Sequence, residues 1–583
     1  MSYRLQVTMI ATTVAVAACG VEPAGDDPTD HTGAVTAAET AADPCAWAPT
    51  ATVSPAVIPA TPPGVPVVLD VAVTSTSAAS CAPQSFALII VDSGLLFDPR
   101  PPTPVGPGSA PSAPVAIQLA GGATGHFRVT ATAPASADPG DVFAVAFQLS
   151  DPSVVLPIPP PDPSGGPTQL PPPSGVVIPP LSFVVAGSPG CQVSTSHELM
   201  ITDLSVVEDP VRTVFDPASR DPRNGAWTFK HLVENLARTP GDAPAMVEAM
   251  LGSFTAPQAI NGFTVAARPG IQRLVLDSWP RTATGALDLA RAPLRLLAIV
   301  NRLDLRDLDH GDAGEARFVF AFDLPPVPAG PPQQATIIFE YKLPAERERD
   351  VVGWAEAFHL LGSLPFGDAY NAVLQLITER FVHRGARPSH PNGSAINAVR
   401  TNEIPFGDNP LWELREFHLS PRSGRLEPAA LERTPDLGVN NTSTLAGYIN
   451  ANQAEIIAEQ HTVPAQLAGQ PFQAGAVFND LTTWFATGTD SEARHHFAIN
   501  TCNGCHAAQE TGTVFLHLAP RLPGATSQRS RWLTGTIIDD PVTGQPRTFD
   551  DLGRRKADLK SIVCRGGATP PRDHLRKGIR RSH

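Results

Sequence analysis

Two cysteines and a histidine near the C-terminal end have a spacing that could carry chemistry. In "TCNGCH", Cys502, Cys505 and His506 form C-x-x-C-H, the attachment pattern for c-type haem. Cysteines three positions apart lie on one side of a helical turn, so both sulfurs can reach the two vinyl groups on one porphyrin edge. The spacing predicts covalent haem c, with Cys502 and Cys505 as thioether partners and His506 as the proximal iron ligand.

The residues before this motif predict the helix that positions it. In "TDSEARHHFAINTC", Thr489 or Asp490 can cap the helix, and Ala493 and Phe497 share its inner face at i, i+4. Together with "CNGCH", the segment resembles the first helix and haem-binding turn of monohaem cytochrome c. The resemblance implies a small, mainly α, cytochrome c-like unit over residues 476–583.

The sixth iron ligand departs from that family. Cytochromes c often use a methionine downstream of the motif, but all five methionines of this chain precede residue 251. His517 in "VFLHLAP" is the candidate distal ligand, with His574 second. Two histidine ligands predict a lower potential than His/Met ligation, whereas an open iron face favours a peroxidase-like haem enzyme.

Other chemistry fits the same residues. Cys502, Cys505, His506 and His517 could bind zinc, although adjacent Cys505 and His506 suit one tetrahedral ion poorly. A Cys502–Cys505 disulfide is a further alternative, but thioredoxin-like β–α–β surroundings are not evident. In either case the protein would be a surface scaffold or adhesion lipoprotein without haem.

The N-terminal residues predict an export signal. In "MSYRLQVTMIATTVAVAACG", an apolar run follows Arg4 and is shorter than the roughly 20 residues that span a bilayer, which predicts a signal peptide over residues 1–18. The ending Val16-Ala17-Ala18-Cys19 resembles the bacterial lipobox. This implies a lipid on Cys19 that anchors the protein in the cell envelope, at the outer membrane or periplasmic face. Residues 19–44 predict a disordered tether.

Residues 45–188 have the pattern of an antiparallel β-sandwich, with β-branched runs separated by turn residues. The stretches "GVPVVLDVAVTSTSAASC" and "LAGGATGHFRVTATAPASADPGDVFAVAF" resemble the immunoglobulin-like modules of secreted bacterial proteins. The resemblance implies a disulfide between Cys45 and Cys81 and a spacer or adhesion role. Proline-rich inserts at 97–114 and 151–180 are predicted to be extended or disordered loops.

Residues 189–475 predict an α+β domain. Helical spacing in "WTFKHLVENLA", "DVVGWAEAFHLLGSL" and "AYNAVLQLITERFV" alternates with strand patterns such as "QATIIFEYKL". The stretches "LRLLAIVNRLDLRD" and "WAEAFHLLGSLPFG" resemble uncharacterised lipoproteins of myxobacteria-like bacteria, which implies a compartment but no activity. The acidic stretch "NRLDLRDLDHGDAGEARF" fails the EF-hand spacing. It predicts a charged loop whose acids pair with Arg302, Arg306 and Arg317.

Charge and cysteine number complete the prediction of a multidomain protein. The 583 residues carry a formal net charge of -14, which argues against nucleic acid as a partner. The C-terminal end is basic and could attract an anionic redox partner. By elimination, Cys191 and Cys564 form a second disulfide. These features favour one-electron transfer in the periplasm or at the cell surface, by an electron carrier rather than a catalyst.

Overall fold

A computed structural model describes the chain from residue 44 to residue 579, with gaps. The longer gaps are residues 99–115, 152–174, 186–190, 325–331 and 565–571, and the shorter ones, of one to three residues, include 514–515. The predicted signal peptide, the lipid-carrying Cys19 and almost all of the tether lie outside the described residues. Where the chain is described, no helix is both long and apolar enough to cross a membrane.

The N-terminal region forms two four-stranded antiparallel sheets. Their orders are β1-β2-β6-β4 and β5-β3-β7-β8. Both sheets contribute to one apolar cluster that includes Val71, Phe127, Phe86 and Phe147, because alternate residues of each strand face inward. The strands are β1 (Pro49–Ser54), β2 (Pro66–Ser75), β3 (Gln84–Val91), β4 (Leu96–Asp98), β5 (Ala116–Leu119), β6 (Thr124–Thr132), β7 (Val142–Ser150) and β8 (Gly175–Val184).

The proline-rich inserts differ in part from their prediction as loops. Strand β8 begins at Gly175 and therefore includes residues 175–180, which were assigned to the second insert. Strand β4 likewise takes in residues 97 and 98. Strand β8 pairs with β7 and ends the order of its sheet, and proline is tolerated at such an edge because an outward N–H is not needed. The central parts of both inserts lie outside the described residues.

The middle region is mixed α and β, as predicted. Eight strands form one antiparallel sheet in the order β17-β16-β15-β14-β13-β12-β9, with β20 pairing to β16. Its elements, with the small β10–β11 hairpin, are β9 (Met200–Ile201), α1 (Leu204–Val207), α2 (Phe229–Leu236), α3 (Ala243–Gly252), β10 (Gln258–Ile260), β11 (Phe263–Val265), β12 (Leu294–Arg302), β13 (Asp312–Phe322), β14 (Ala335–Pro344), α4 (Glu348–Leu361), α5 (Asp368–Val382), β15 (Ile396–Glu403), β16 (Trp412–Leu419) and β17 (Leu426–Ala429).

The C-terminal region is built of short elements. They are α6 (Ser443–Ala451), α7 (Gln453–Ile457), β18 (Gln466–Leu467), β19 (Gln470–Pro471), β20 (Val477–Asn479), α8 (Ser491–Ile499), α9 (Cys502–Cys505), α10 (Ala508–Thr511), α11 (Arg531–Thr534), β21 (Thr536–Asp539), β22 (Pro546–Phe549), α12 (Asp551–Val563) and α13 (Arg572–Arg576). Leu518, Trp532 and Leu559 from this region belong to the same apolar cluster as the middle sheet. The C-terminal elements therefore pack directly on the middle region.

The two faces of the large sheet differ. One face is aromatic: Phe318 of β13 contacts Phe381 of α5 with ring centroids 6.2 Å apart. Successive strand residues point to opposite faces, so Arg317 and Val319 lie on the other side. That second face also carries ion pairs between strands, including Arg317 to Glu340 at 3.1 Å and Arg400 to Glu340 at 3.0 Å. It is the face that the C-terminal elements cover.

The acidic stretch near residue 310 was predicted only in part. Arg302 pairs with Asp304, and Arg317 pairs with Glu315, as expected. Arg306 instead forms an ion pair with Asp558 of α12, at 2.6 Å, because the C-terminal region packs against this stretch. Asp312 and Glu315 are buried within strand β13 rather than in a loop. The stretch therefore joins two regions of the molecule.

Both expected disulfides are present. Cys45 is bonded to Cys81, and Cys191 is bonded to Cys564. The second bond joins the start of the middle region to the end of α12.

Candidate functional site

The C-x-x-C-H turn is held by caps and close packing. Asp490 caps α8 by accepting a hydrogen bond from the Ala493 N–H at 3.0 Å, as one of the two predicted caps. Thr501 caps α9 by accepting from the Gly504 N–H, and its hydroxyl also accepts from the Trp484 indole at 2.7 Å. A Cβ on Gly504 would lie 2.1 Å from the carbonyl oxygen of Ala498, so this position requires glycine.

The two cysteines of the motif are fully buried and are not joined in a disulfide. Burial raises the pKa of Cys502, although the cation of Arg400 on β15 opposes that shift. Cys505 lies on the side of His517, with its Sγ 3.3 Å from the His517 Nε2 atom. The raised pKa keeps the Cys502 thiol protonated at neutral pH, and a thiol that is not in a disulfide is the form needed for addition to a vinyl group.

The two candidate iron ligands lie next to each other. The His506 ring stacks on Trp412 of β16 with centroids 4.3 Å apart. The centroids of the His506 and His517 rings are 4.4 Å apart. His517 also bonds Ser530 through Nδ1 at 2.8 Å. Burial, together with the neighbouring His506, holds the pKa of His517 well below its usual value. The imidazole of His517 is therefore neutral, which is the state that binds metals.

The second candidate for the distal position lies elsewhere. The ring of His574 contacts the hydroxyl of Ser561 at 2.6 Å and the guanidinium of Arg306. His495 bonds Glu510, and His496 bonds Glu459. Of the histidines considered from the sequence, His506 and His517 are the pair that the fold brings together.

A cavity of about 70 Å³ lies between the second face of the large sheet and the C-terminal region. The sheet contributes alternate residues of several strands, and the C-terminal region contributes both candidate iron ligands. Its lining residues are Met200, Val300, Arg302, Arg317, Val319, Thr336, Ile338, Asn402, His506, Leu516, His517, Leu518, Leu533 and Arg555. The cavity wall is mostly apolar and also contains three arginines, Arg302, Arg317 and Arg555.

The dimensions of this cavity can be compared with those of a porphyrin. From Asn402 on β15 to Arg302 on β12 there are three strand spacings, or about 14 Å at about 4.8 Å each. A porphyrin attached through Cys502 and Cys505 would need a space of about that length. The present volume is below the roughly 300–1,000 Å³ usual for small-molecule sites, so haem would have to separate the two layers. The two histidines and the length are compatible with haem, whereas the present volume is not, and neither Cys502 nor Cys505 lines the cavity.

Ligation of one metal ion by both His506 and His517 also requires the two rings to move apart. Two metal–nitrogen bonds of about 2 Å, plus the radius of each ring, place the ring centroids about 6 Å apart across a metal ion. The rings of His506 and His517 are 4.4 Å apart. They must therefore separate by about 2 Å before one ion can lie between them.

A zinc site at the motif is not preassembled. Within the described residues, two groups of three bring their ligand atoms within 4.8 Å of one another: Cys191, His359 and Cys564, and His495, Glu510 and Asp540. Neither includes Cys502 or Cys505. In the first group the two sulfurs form the disulfide, and in the second a guanidinium already lies between the carboxylates.

That guanidinium belongs to Arg494. It donates to Glu510 at 2.6 and 3.0 Å and to Asp540 at 2.9 Å, and all three side chains are buried. Burial opposes the charge on Glu510, but hydrogen bonds from His495 and Arg494 outweigh it and lower the pKa of Glu510. This ion-pair network ties α8, α10 and the end of β21 around the motif.

A second, larger cleft of about 590 Å³ is lined in part by the middle of the acidic stretch, residues 305–312. Its wall includes Asp312, Lys342 and His418, and Lys342 lies 3.5 Å from Asp312 and 3.4 Å from Glu315. His418 contacts Glu416 at 2.6 Å, so Asp312, Lys342 and His418 each already have a partner of opposite sign.

The sheet side of the cavity was not predicted from the sequence. Met200 of β9, Arg302 of β12 and Asn402 of β15 come from segments far apart in the chain, and no local spacing marks them. Compared with protein-family models and with curated proteins, the chain matches none. The site must therefore be interpreted from its own geometry.

Proposed function

We propose that this protein is an exported, lipid-anchored c-type haem protein that transfers single electrons in the cell envelope. Cys19 would carry the lipid, and the two N-terminal sheets would act as an immunoglobulin-like spacer. Cys502 and Cys505 would hold the porphyrin by thioethers, and His506 would bind the iron. Haem, when bound, supplies one-electron chemistry.

One observation carries this proposal: Cys502 and Cys505 are buried and not joined in a disulfide, and Cys505 lies 3.3 Å from His517, whose ring is 4.4 Å from that of His506 in the cavity wall. The apolar residues Val300, Val319 and Leu518 would exclude water from the porphyrin faces. Neutral His517 is available as the distal ligand, which would make both axial ligands histidine and keep the potential low.

The basic C-terminal end is proposed to meet an anionic redox partner. Part of its charge is already paired, since Arg576 lies 2.6 Å from Asp309 and Lys577 lies 3.2 Å from the same residue. The remaining basic charge would speed association through long-range attraction, which added salt weakens. A rate of electron transfer that is independent of salt would contradict this role.

The experiment is covalent loading in a host with cytochrome maturation machinery. Mass spectrometry should find one haem on the peptide that contains Cys502 and Cys505, and the reduced protein should show a sharp α-band. The double variant C502A/C505A should carry no covalent haem, whereas the control C45S/C81S, which removes a distant disulfide, should carry it normally. A native chain without covalent porphyrin would leave a scaffold lipoprotein.

The absorption spectrum also separates the electron carrier from a haem enzyme. A low-spin ferric spectrum that becomes high-spin in H517A supports histidine ligation on both sides. A high-spin native spectrum that shifts with peroxide or cyanide would instead indicate an open iron face and a peroxidase-like activity.

A further inference from the structure

A histidine and a buried glutamate lie against the disulfide that joins Cys191 to Cys564. The Nε2 atom of His359 on α4 is 3.5 Å from the Sγ atom of Cys191. The Nδ1 atom of the same ring is 2.8 Å from a carboxylate oxygen of Glu198. The ligand atoms of Cys191, His359 and Cys564 all lie within 4.8 Å of one another. An imidazole is therefore held between a carboxylate and a sulfur–sulfur bond.

Glu198 is fixed in a position that orients this imidazole. Its side chain is fully buried, and its second carboxylate oxygen accepts a hydrogen bond from the Ser194 N–H at 2.8 Å. The end of α4 packs so closely on the carboxylate that a Cβ on Gly362 would lie 2.1 Å from that second oxygen. Because the carboxylate takes up Nδ1, the Nε2 atom is the ring nitrogen that faces the sulfur.

The same contact favours the protonated form of the imidazole. The hydrogen bond to Glu198 raises the pKa of His359, although partial burial of the ring opposes that shift. Burial raises the pKa of Glu198 as well, so the pair retains a proton. A cation next to a cysteine sulfur stabilises its thiolate form. His359 would therefore stabilise the Cys191 thiolate when the disulfide opens.

The Cys45–Cys81 disulfide is a matched comparison. In each bond one residue is exposed, Cys191 or Cys45, and the other is half-buried, Cys564 or Cys81. The Sγ atom of Cys81 lies 3.4 Å from the carbonyl oxygen of Pro44, which has no proton with which to stabilise a thiolate. The two bonds are thus similar in exposure but differ in the group that lies against a sulfur.

We propose that the Cys191–Cys564 bond is a thiol–disulfide exchange site for small thiols. His359 is its catalytic residue, and Glu198 positions that imidazole. The thiolate of a first small thiol attacks the sulfur of Cys564, the bond to Cys191 breaks, and Cys191 leaves as a thiolate stabilised by the imidazolium. A second small thiolate attacks the first one in the mixed disulfide, which forms their own disulfide and releases Cys564. Two electrons pass to the protein, and the two thiols supply the two protons that the cysteines gain.

The exchange site is independent of haem. The bond lies at the C-terminal end of α12, so opening it would release that end of the helix from the start of the middle region. The thiol content of the surroundings would thus control how firmly the C-terminal region is held.

The test measures how fast the two disulfides open in the same folded molecule. The purified chain with both bonds formed is treated with dithiothreitol at about pH 7 and quenched with N-ethylmaleimide, and each bond is quantified by mass spectrometry. Cys191–Cys564 should open about tenfold faster than Cys45–Cys81, because a stabilised thiolate leaves faster. Equal rates, or faster opening of Cys45–Cys81, would overturn the proposal.

Two variants separate catalysis from a structural role. H359Q and E198Q should each slow the opening of Cys191–Cys564, H359Q by about tenfold, and leave Cys45–Cys81 unchanged. A merely loosened fold would expose the sulfurs and speed the reaction, so faster or unchanged opening in H359Q would contradict the assigned role. The control H418Q changes a histidine that also pairs with a buried glutamate, Glu416, at 2.6 Å, and both bonds should open at native rates.

The position of the mixed disulfide gives a second readout that needs no variant. Glutathione trapped early in the reaction should be bonded to Cys564, with Cys191 alkylated by N-ethylmaleimide. Glutathione bonded mainly to Cys191 would show that the imidazole does not make Cys191 the leaving group, and the proposal would be wrong.

Discussion

Gly504 shows how a residue between the two cysteines can matter without taking part in chemistry. The turn packs so closely on the end of α8 that an added methyl group would meet the carbonyl oxygen of Ala498. Packing therefore restricts the choice of residue at position 504, between the two cysteines. The proposed haem attachment restricts the choice of residue at positions 502 and 505.

We expect G504A to lower the free energy of unfolding by about 1–3 kcal/mol, because the backbone of the turn must shift. The yield of covalent haem should fall as well, although Cys502, Cys505 and His506 are intact. The control is G447A in α6, where an added Cβ meets nothing within 4 Å. That change should stabilise by about 0.4–1 kcal/mol. Urea unfolding of both variants measures the difference, and equal stabilities would contradict the packing argument.

The sequence predicted the positions of residues within one helix but not the contacts between residues far apart in the chain. The cap at Asp490 and the inward positions of Ala493 and Phe497 follow from spacing along one helix, and the structure confirms them. The pairing of Arg306 with Asp558 and the cavity position of Arg555 depend on contacts between distant segments. Such contacts leave no periodic signal in the sequence, so local pattern could not predict them.

Among the elements, α8, α10 and β21 depend on one buried ionic network. Arg494 on α8 lies between Glu510 of α10 and Asp540 at the end of β21. Because the pKa of Glu510 is lowered in the folded protein, its charge stabilises the fold above the unfolded pKa of about 4.3. That stabilisation is lost as the pH falls through the lower, folded pKa.

We therefore expect E510Q to cost about 3 kcal/mol at neutral pH, since it leaves Arg494 with less compensation. The variant should also lose less stability than the native protein between about pH 5 and pH 3, because the group that titrates is gone. The control E455Q changes an exposed carboxylate on α7 and should match the native chain. Guanidinium unfolding across this pH range measures both effects, and parallel pH profiles for E510Q and native protein would argue against the network.

The strands and helices of the middle region were the most predictable elements. The runs that form β14, α4 and α5 carry clear periodicity, and each of these elements is present where it was expected, whereas β13 begins at Asp312, in residues predicted as a loop. Strand β8 was missed over residues 175–180, because its prolines suggested a loop. Proline excludes central strand positions, but it does not exclude an edge.

At the scale of the whole molecule, the Cys191–Cys564 bond closes a loop with a sequence separation of 373, against 36 for Cys45–Cys81. Chain-entropy arguments give a larger stabilisation for the longer loop, by about 2 kcal/mol. The Cys191–Cys564 bond also holds the C-terminal end of α12 against the start of the middle region. Arg554 and Arg555 lie in the first turns of the same helix.

We expect C191S/C564S to lower the Tm of the middle and C-terminal regions more than C45S/C81S lowers that of the N-terminal sheets. Amide hydrogen exchange should accelerate in α12 of the first variant and remain slow in β2 and β6. Exchange in α12 that is insensitive to the loss of this bond would show that the ion pairs of Arg306, Arg554 and Arg555 are enough to hold the helix.

This bond also decides how mechanical tension passes through the protein. A pull applied between the N-terminal sheets and the end of the chain enters at Cys191 and leaves at Cys564, across a single covalent link. The large sheet and the C-x-x-C-H turn lie inside the closed loop and so are shielded from the load. Stretching the chain by its two ends would extend only the segments outside that ring.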